Sequence, residues 1–281
     1  MTGELQTDFW HVLGRSVCGA SHRRRGAPNQ DALEWSRAGN AGVAVAVADG
    51  HGSAASFRSG AGAALAVECA GRLLREACSQ WTERERAAAA APSLAGELAA
   101  QWRSAVTRHL AEFPFSRAES QLLAGGEEPH WRAYGSTVLA VLATPSYVLY
   151  LQLGDGDILI VSDSGEVSRP WPRDPRLLGL ETTSLCGDHA AAETRVTVAA
   201  HGAAPPALVL LSTDGYANSF REDHDFERTG RDLLELIRQD GIEGVEANLE
   251  SWLNEASELG SGDDITVALV CRAAAGGGHG N

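Results

Sequence analysis

Residues 10–16 (Trp-His-Val-Leu-Gly-Arg-Ser) show a strand-like mix of apolar and polar positions, and short apolar runs recur at 41–48, 136–143, 147–153, 158–162, 194–198, 207–212 and 265–272, so each of these stretches predicts a β-strand. Residues 41–48 (Ala-Gly-Val-Ala-Val-Ala-Val-Ala) contain no polar side chain, which predicts a strand buried on both faces. Helical periodicity governs other stretches. From Ser53, a plausible N-cap, to Gln80 the chain sets Leu65, Cys69, Leu73 and Leu74 on one face. Residues 92–112 repeat the pattern with Leu94, Leu98, Trp102, Ala105, Val106 and Leu110, and 229–239 and 244–258 do so near the C-terminus. Thr144-Pro145-Ser146 separates two strands at hairpin length. Residues 114–130 read as a loop, 169–192 as an exposed excursion in which Trp171 is placed to touch a ligand, and 273–281 as a Gly-rich disordered tail. Strands segregated from helix pairs predict an α+β fold of mainly antiparallel sheets, in one domain over 10–272 behind a short lead at 1–9.

Composition narrows the chemistry. The chain has 281 residues and a net charge of −14, and all of its 23 fixed cations are arginine. Without lysine there is no Schiff-base lysine and no lysine of the Walker or kinase kind. The acidic balance argues against nucleic acid as a partner. No stretch is apolar for long enough to span a bilayer, and residues 1–10 lack the basic-then-apolar pattern of a secretion signal. Five cysteines without CxxC spacing point away from disulfides and zinc. The expectation is a cytoplasmic protein with no membrane or nucleic-acid partner.

One event recurs: an apolar strand ends and an aspartate follows in a glycine-rich turn. It occurs at Val47-Ala48-Asp49-Gly50, Leu153-Gly154-Asp155-Gly156, Ser212-Thr213-Asp214-Gly215 and Ser261-Gly262-Asp263-Asp264. Any single case is explained by the turn preference of Asp-Gly. Four such strand ends, if they share one end of the fold, would bring together carboxylates whose repulsion needs a positive partner. No lysine is available and no arginine lies inside these turns. Hard oxygen donors then favour Mg²⁺ or Mn²⁺ over zinc, and two such ions sharing a carboxylate suit phosphoryl transfer.

Those motifs, with Gly14-Arg15, Asn29-Gln30-Asp31, Asp49-Gly50-His51-Gly52, Gly135-Ser136-Thr137 and Asp263-Asp264-Ile265-Thr266, stand in an order that resembles the metal-dependent type 2C serine/threonine protein phosphatases, in a bacterial form, over residues 12–271. The resemblance implies a four-layer α-β-β-α sandwich, with two stacked antiparallel sheets flanked by helix pairs. It also implies a phosphorylated protein as substrate and a binuclear Mn²⁺ or Mg²⁺ site, with a third, weaker ion in related enzymes. By position, Asp49 would bridge the two ions and the Gly50 carbonyl would bind one of them. Asp214 and Asp263 would complete the other, and Asp155 would serve the third. Asp31 would hold a water of the metal site, and His51 would be the general acid for the leaving serine or threonine oxygen.

Three positions depart from the family. Gln30 replaces a common glutamate, and can bond a water of the site without adding charge. Asp264 stands where asparagine is usual, which would strengthen metal binding or raise a pKa. Gly26 occupies the place of a phosphate-binding arginine, so Arg23, Arg24 or Arg25 would supply that contact, unless the three form only a solvated run. Gln30 and Gly26 also admit a second reading, a catalytically silent phosphoprotein-binding or regulatory module on the same fold. A metal nuclease is opposed by the charge of −14.

Overall fold

A computed structural model describes residues 4–123, 130–177, 182–201 and 205–273. Two antiparallel sheets carry the chain. One is built, in spatial order, from β1 (Glu4–Gln6), β2 (Trp10–Val17), β11 (Ile265–Arg272), β10 (Leu208–Ser212), β7 (Asp157–Val161) and β8 (Val167–Ser168). The other runs β3 (Ala32–Ala38), β4 (Gly42–Ala48), β5 (Val138–Ala143), β6 (Tyr147–Leu153) and β9 (Arg195–Ala200). The helices are α1 (Ala20–Arg25), α2 (Ser59–Gln80), α3 (Arg84–Glu112), α4 (Arg117–Leu123), α5 (Ala190–Glu193), α6 (Asp214–Ala217) and α7 (Asp223–Leu259).

The strand alternation explains the layers. In β4, Val43, Val45 and Val47 join a cluster with Leu139 and Val141 of β5, Val209 and Leu211 of β10, and Ala268 and Val270 of β11, so this face packs sheet on sheet. The opposite face, Ala44, Ala46 and Ala48, joins Ala63, Ala66 and Ala70 of α2 and Leu94, Leu98 and Trp102 of α3. Small residues on both sides let α2 lie close to the sheet, and a larger side chain there would cost about 1–3 kcal/mol in overpacking. On the far side, Leu208 and Leu210 of β10 and Val267 and Leu269 of β11 pack against Leu234, Val245 and Leu249 of α7. These interfaces give the expected α-β-β-α order.

Several boundaries differ from those predicted. Part of the lead at 1–9 is a strand, since Glu4–Gln6 pairs with β2. The chain between Val17 and Gly42 holds α1 and β3, neither of which the pattern revealed. α2 begins at Ser59, because Ser53 instead precedes a 3₁₀ turn over Ala54–Ser56 and makes no side-chain cap. α3 starts at Arg84 and carries Pro92 within it; Ala88, whose carbonyl thereby loses its helical partner, is exposed to solvent. The 114–130 loop contains α4, tied down by Arg58, whose Nε donates to Glu119 at 2.7 Å. The two C-terminal helices are both present within α7, longer than predicted and separated by non-helical backbone at Gly241, whose φ is 77°. The excursion at 169–192 is anchored at its start by Arg169 and at its end by buried Ser184, Leu185 and Ala190; residues 178–181 of it, and 274–281 of the tail, lie outside the described residues. All five cysteines are free. No described helix is long and apolar enough to cross a membrane.

Candidate metal and phosphate site

Antiparallel register brings the aspartate turns to one end of the sandwich. Ser212 of β10 pairs with Val267 of β11 on one side and Asp157 of β7 on the other, so the turns that hold Asp214, Asp263 and Asp155 are neighbours. In the second sheet, Val138 pairs with Leu153, and Val47 with Leu139, which adds the end of β4. The pairing continues past β4: the Thr137 N–H donates to the Asp49 carbonyl at 2.9 Å, Gly50 bridges Ser136, and the His51 N–H donates to the Gly135 carbonyl at 3.1 Å. This is the structural reason for the two glycines. A Cβ on Gly50 would come within 2.6 Å of the Gln30 carbonyl oxygen, and one on Gly135 within 2.4 Å of the His51 ring.

One cavity is lined by Asp49, Gly50, His51, Asp155, Asp214 and Asp263. Carboxylate oxygens of Asp49, Asp155 and Asp214 lie within 4.8 Å of one another. Asp155, expected to serve only a weaker third ion, therefore sits inside the main cluster. Asp263 is on the rim of the same cavity, its side chain 52% exposed, with Oδ1 accepting from the Asp264 N–H at 2.9 Å.

Electrostatics identify what this cluster requires. No ion pair reaches Asp31, Asp49, Asp155 or Asp214 among the described residues. Burial, then repulsion from Asp31 and Asp214, pushes Asp49 well above the ordinary carboxylate range. Burial likewise raises Asp31, against two hydroxyl hydrogen bonds that lower it. Burial and the Asp155 charge push Asp214 up to about 6. Carboxylates gathered at such a cost, with no cation among them, fit hard dications of the Mg²⁺ or Mn²⁺ kind. Burial lowers the His51 pKa, and the Asp155 charge opposes that shift.

The second rank of residues was only partly legible. Asp31 lies behind the cavity, where its Oδ2 accepts from Thr213 Oγ1 and Thr266 Oγ1, both at 2.8 Å. Those two threonines stand inside the motifs Ser212-Thr213-Asp214-Gly215 and Asp263-Asp264-Ile265-Thr266, but no role is assigned to them from sequence. Gln30 does line the cavity, but its Nε2 donates to Ser59 Oγ at 2.7 Å rather than standing free toward a water. Asp264 is buried, and its oxygens accept from the Gly19 N–H at 2.6 Å and the Gln30 N–H at 2.7 Å, with His22 Nδ1 at 3.0 Å. It thus staples the start of α1 and the Gln30 loop to β11, and its charge adds, after burial, to the raised pKa of Asp31.

The three arginines part ways on α1. Arg23 donates to the Cys18 carbonyl and to Asn254 Oδ1, and approaches Glu258. Arg24 donates to Ser21 Oγ at 3.1 Å. Arg25 alone of the three lines the cavity.

Comparison with known proteins agrees with this geometry. The family model for protein phosphatase 2C matches residues 18–254. Among solved structures, the serine/threonine phosphatase Stp1 from Staphylococcus aureus superposes with a TM-score of 0.62 at 14% identity, covering 98% of each chain. PppA of Pseudomonas aeruginosa, described as a regulatory component of T6SS, gives 0.58 at 19% identity over 96% of this chain and 100% of its own. The catalytic domain of the phosphatase PstP, solved with two manganese ions, gives 0.54 at 18% identity over 95% and 99%. At these identities the superpositions establish a common fold. No curated protein matches the chain in sequence. Since the family model for protein phosphatase 2C spans most of the chain, the chain belongs to the protein phosphatase 2C family.

Proposed function

We propose that this chain hydrolyses phosphoserine and phosphothreonine in proteins, using two Mn²⁺ or Mg²⁺ ions held by Asp49, the Gly50 carbonyl, Asp155, Asp214 and Asp263. The observation that carries the reading is the convergence of Asp49, Asp155 and Asp214 within 4.8 Å, with His51 on the same cavity wall. When bound, such ions supply positive charge for phosphoryl oxygens and a lowered pKa for water. Asp31, with Oδ2 held by two hydroxyls, has Oδ1 left to accept from the attacking water and fix its direction. His51 protonates the departing serine or threonine oxygen, and its pinned backbone keeps the ring over Gly135. Arg25 grips the phosphate from the rim.

The direct test is phosphate release from an aryl phosphate and from a phosphothreonine peptide on addition of Mn²⁺ to the purified protein. Release from neither, with retained binding of the phosphopeptide, would favour the silent binding module. His51→Ala separates the roles by leaving group. An alkyl phosphopeptide needs its leaving oxygen protonated and an activated aryl phosphate does not, so the expected loss in kcat is at least about a hundredfold for the first and under about fivefold for the second. Equal losses would remove the general acid. Arg25→Ala is expected to raise KM for a phosphopeptide about tenfold with little change in kcat, read from steady-state kinetics.

A further inference from the structure

A second cavity, of about 300 Å³, adjoins the carboxylate cluster and shares Asp155 and Asp214 with it. Its walls carry Arg169, Trp171, Arg173 and Arg195, and Asp157 lies at its base. The charges there are not equivalent. Buried Asp157 has both oxygens committed, Oδ1 to Arg169 Nε at 2.7 Å and Oδ2 to Arg173. Arg169 continues to Asp223 and Glu227, and Asp174 is held by Arg176 at 2.6 Å. Arg195 is different: among the described residues it has no carboxylate within ion-pair distance. Its Nη1 donates to the Pro172 carbonyl at 3.1 Å, and its guanidinium stands 5.2 Å from the centre of the Trp171 ring. Asp157 and Asp174 act on it only through space, while burial lowers its pKa from the usual arginine value.

The side chain is also held in place. Arg195 opens β9 and is paired in register with Gln152 of β6, whose Nε2 donates to the Gly156 carbonyl at 2.7 Å in the Asp155 turn. A half-buried guanidinium, stacked on an indole and without a carboxylate in ion-pair contact among the described residues, is costly alone and pre-set for an anion with two acceptor oxygens. An apolar or basic occupant would leave that charge unmatched.

We propose that this cavity is a specificity subsite for an anionic side chain, carboxylate or second phosphate, that flanks the phosphoresidue, with Arg195 as its charge partner and Trp171 as the plate that orients the guanidinium. The proposal rests on the phosphatase reading above, whose substrate it narrows to phosphoproteins acidic around the modified residue.

The test uses the full chain loaded with Mn²⁺ and sets of phosphothreonine peptides of one sequence. One set has neutral flanks, one carries a single glutamate moved through the flanking positions, and one carries phosphoserine in its place. The parent protein is expected to prefer the best acidic peptide over the neutral one by about tenfold in kcat/KM, mainly through KM. The glutamate and phosphoserine arms tell which anion is taken. Arg195→Gln should bring that ratio to within about twofold of unity and Arg195→Lys should keep part of it, since lysine retains charge without the fork. Because the ratio is taken within each variant, a general loss of activity or folding does not alter it. No preference in the parent, or an unchanged ratio in Arg195→Gln, would overturn the subsite while leaving the phosphatase intact. Failure of the parent to release phosphate from any peptide or from an aryl phosphate would overturn both.

Discussion

Asp214→Ala is expected to abolish metal-dependent phosphate release, by at least about a thousandfold, from aryl phosphates and phosphopeptides alike. The two substrates fail together because the residue acts before the leaving group matters. Asp214 meets Asp49 and Asp155 within 4.8 Å and follows Thr213, whose hydroxyl holds Asp31. Its removal takes one carboxylate from the cage and leaves His51 untouched, so the pattern is the opposite of that expected for His51→Ala. The fold should survive. The loss is an Asn218 hydrogen bond at 2.9 Å, contacts with Asp49 and the Gly215 N–H, and an acidic residue in the first turn of α6, against relief of a carboxylate that burial and repulsion disfavour. Manganese-dependent turnover that persisted in a folded Asp214→Ala protein would exclude the carboxylate cage.

The second large effect concerns stability. Stripped of metal, the protein should melt higher at pH 5 than at pH 7.5, by roughly 5–10 °C, and Mn²⁺ should protect it most at the higher pH. Asp31, Asp49 and Asp214 all have folded-state pKa values above those of the unfolded chain. Between the two values the folded state holds more protons than the unfolded one, so stability falls as pH rises through the window. For Asp214 that window runs from 3.8 to about 6. His51 works in the other direction, because its lowered pKa weakens the fold as pH drops, but one imidazole stands against three carboxylates. Glu119 and Asp174, held down to about 2 by Arg58 and Arg176, do not titrate in this range. Bound cations replace protons as the neutralising charge, which is why the metal should erase the pH dependence. Differential scanning fluorimetry with chelator or Mn²⁺ at the two pH values reads both effects. A metal-free protein as stable at pH 7.5 as at pH 5, with no thermal shift from Mn²⁺, would remove the physical basis of the site.

Local sequence was a good guide wherever burial was two-sided. β4, β5 and β6 are buried along their whole lengths, and their apolar runs, interrupted only by Gln152 of β6, were readable as strands. β3 was hidden because it is an edge strand with Glu34, Ser36 and Arg37 among its seven residues, and only Trp35 and Ala38 are buried. α1 was hidden for another reason. Six residues ending in His22-Arg23-Arg24-Arg25 show no apolar period, and its entry is fixed by the Gly19 N–H bonded to Asp264, 245 residues away. Pro92 marked a helix start that the preceding alanines overran, since the residue whose carbonyl loses its helical partner, Ala88, is exposed to solvent.

The site divides along the same line. Turn chemistry placed aspartates just after β4, β6 and β10 and just before β11, and the types of donor already pointed to a hard dication; both follow from neighbours along the chain. Which partners each carboxylate meets depends on the register of two sheets. It sends Asp155 into the cluster with Asp49 and Asp214, gives Asp157 to Arg169 and Arg173, and spends Asp264 on backbone N–H groups. It also turns Arg25 toward the cavity and Arg23 toward Asn254. Contacts between residues far apart in sequence depend on pairings that no local pattern encodes, so residue chemistry was legible in advance and its assignment to partners was not.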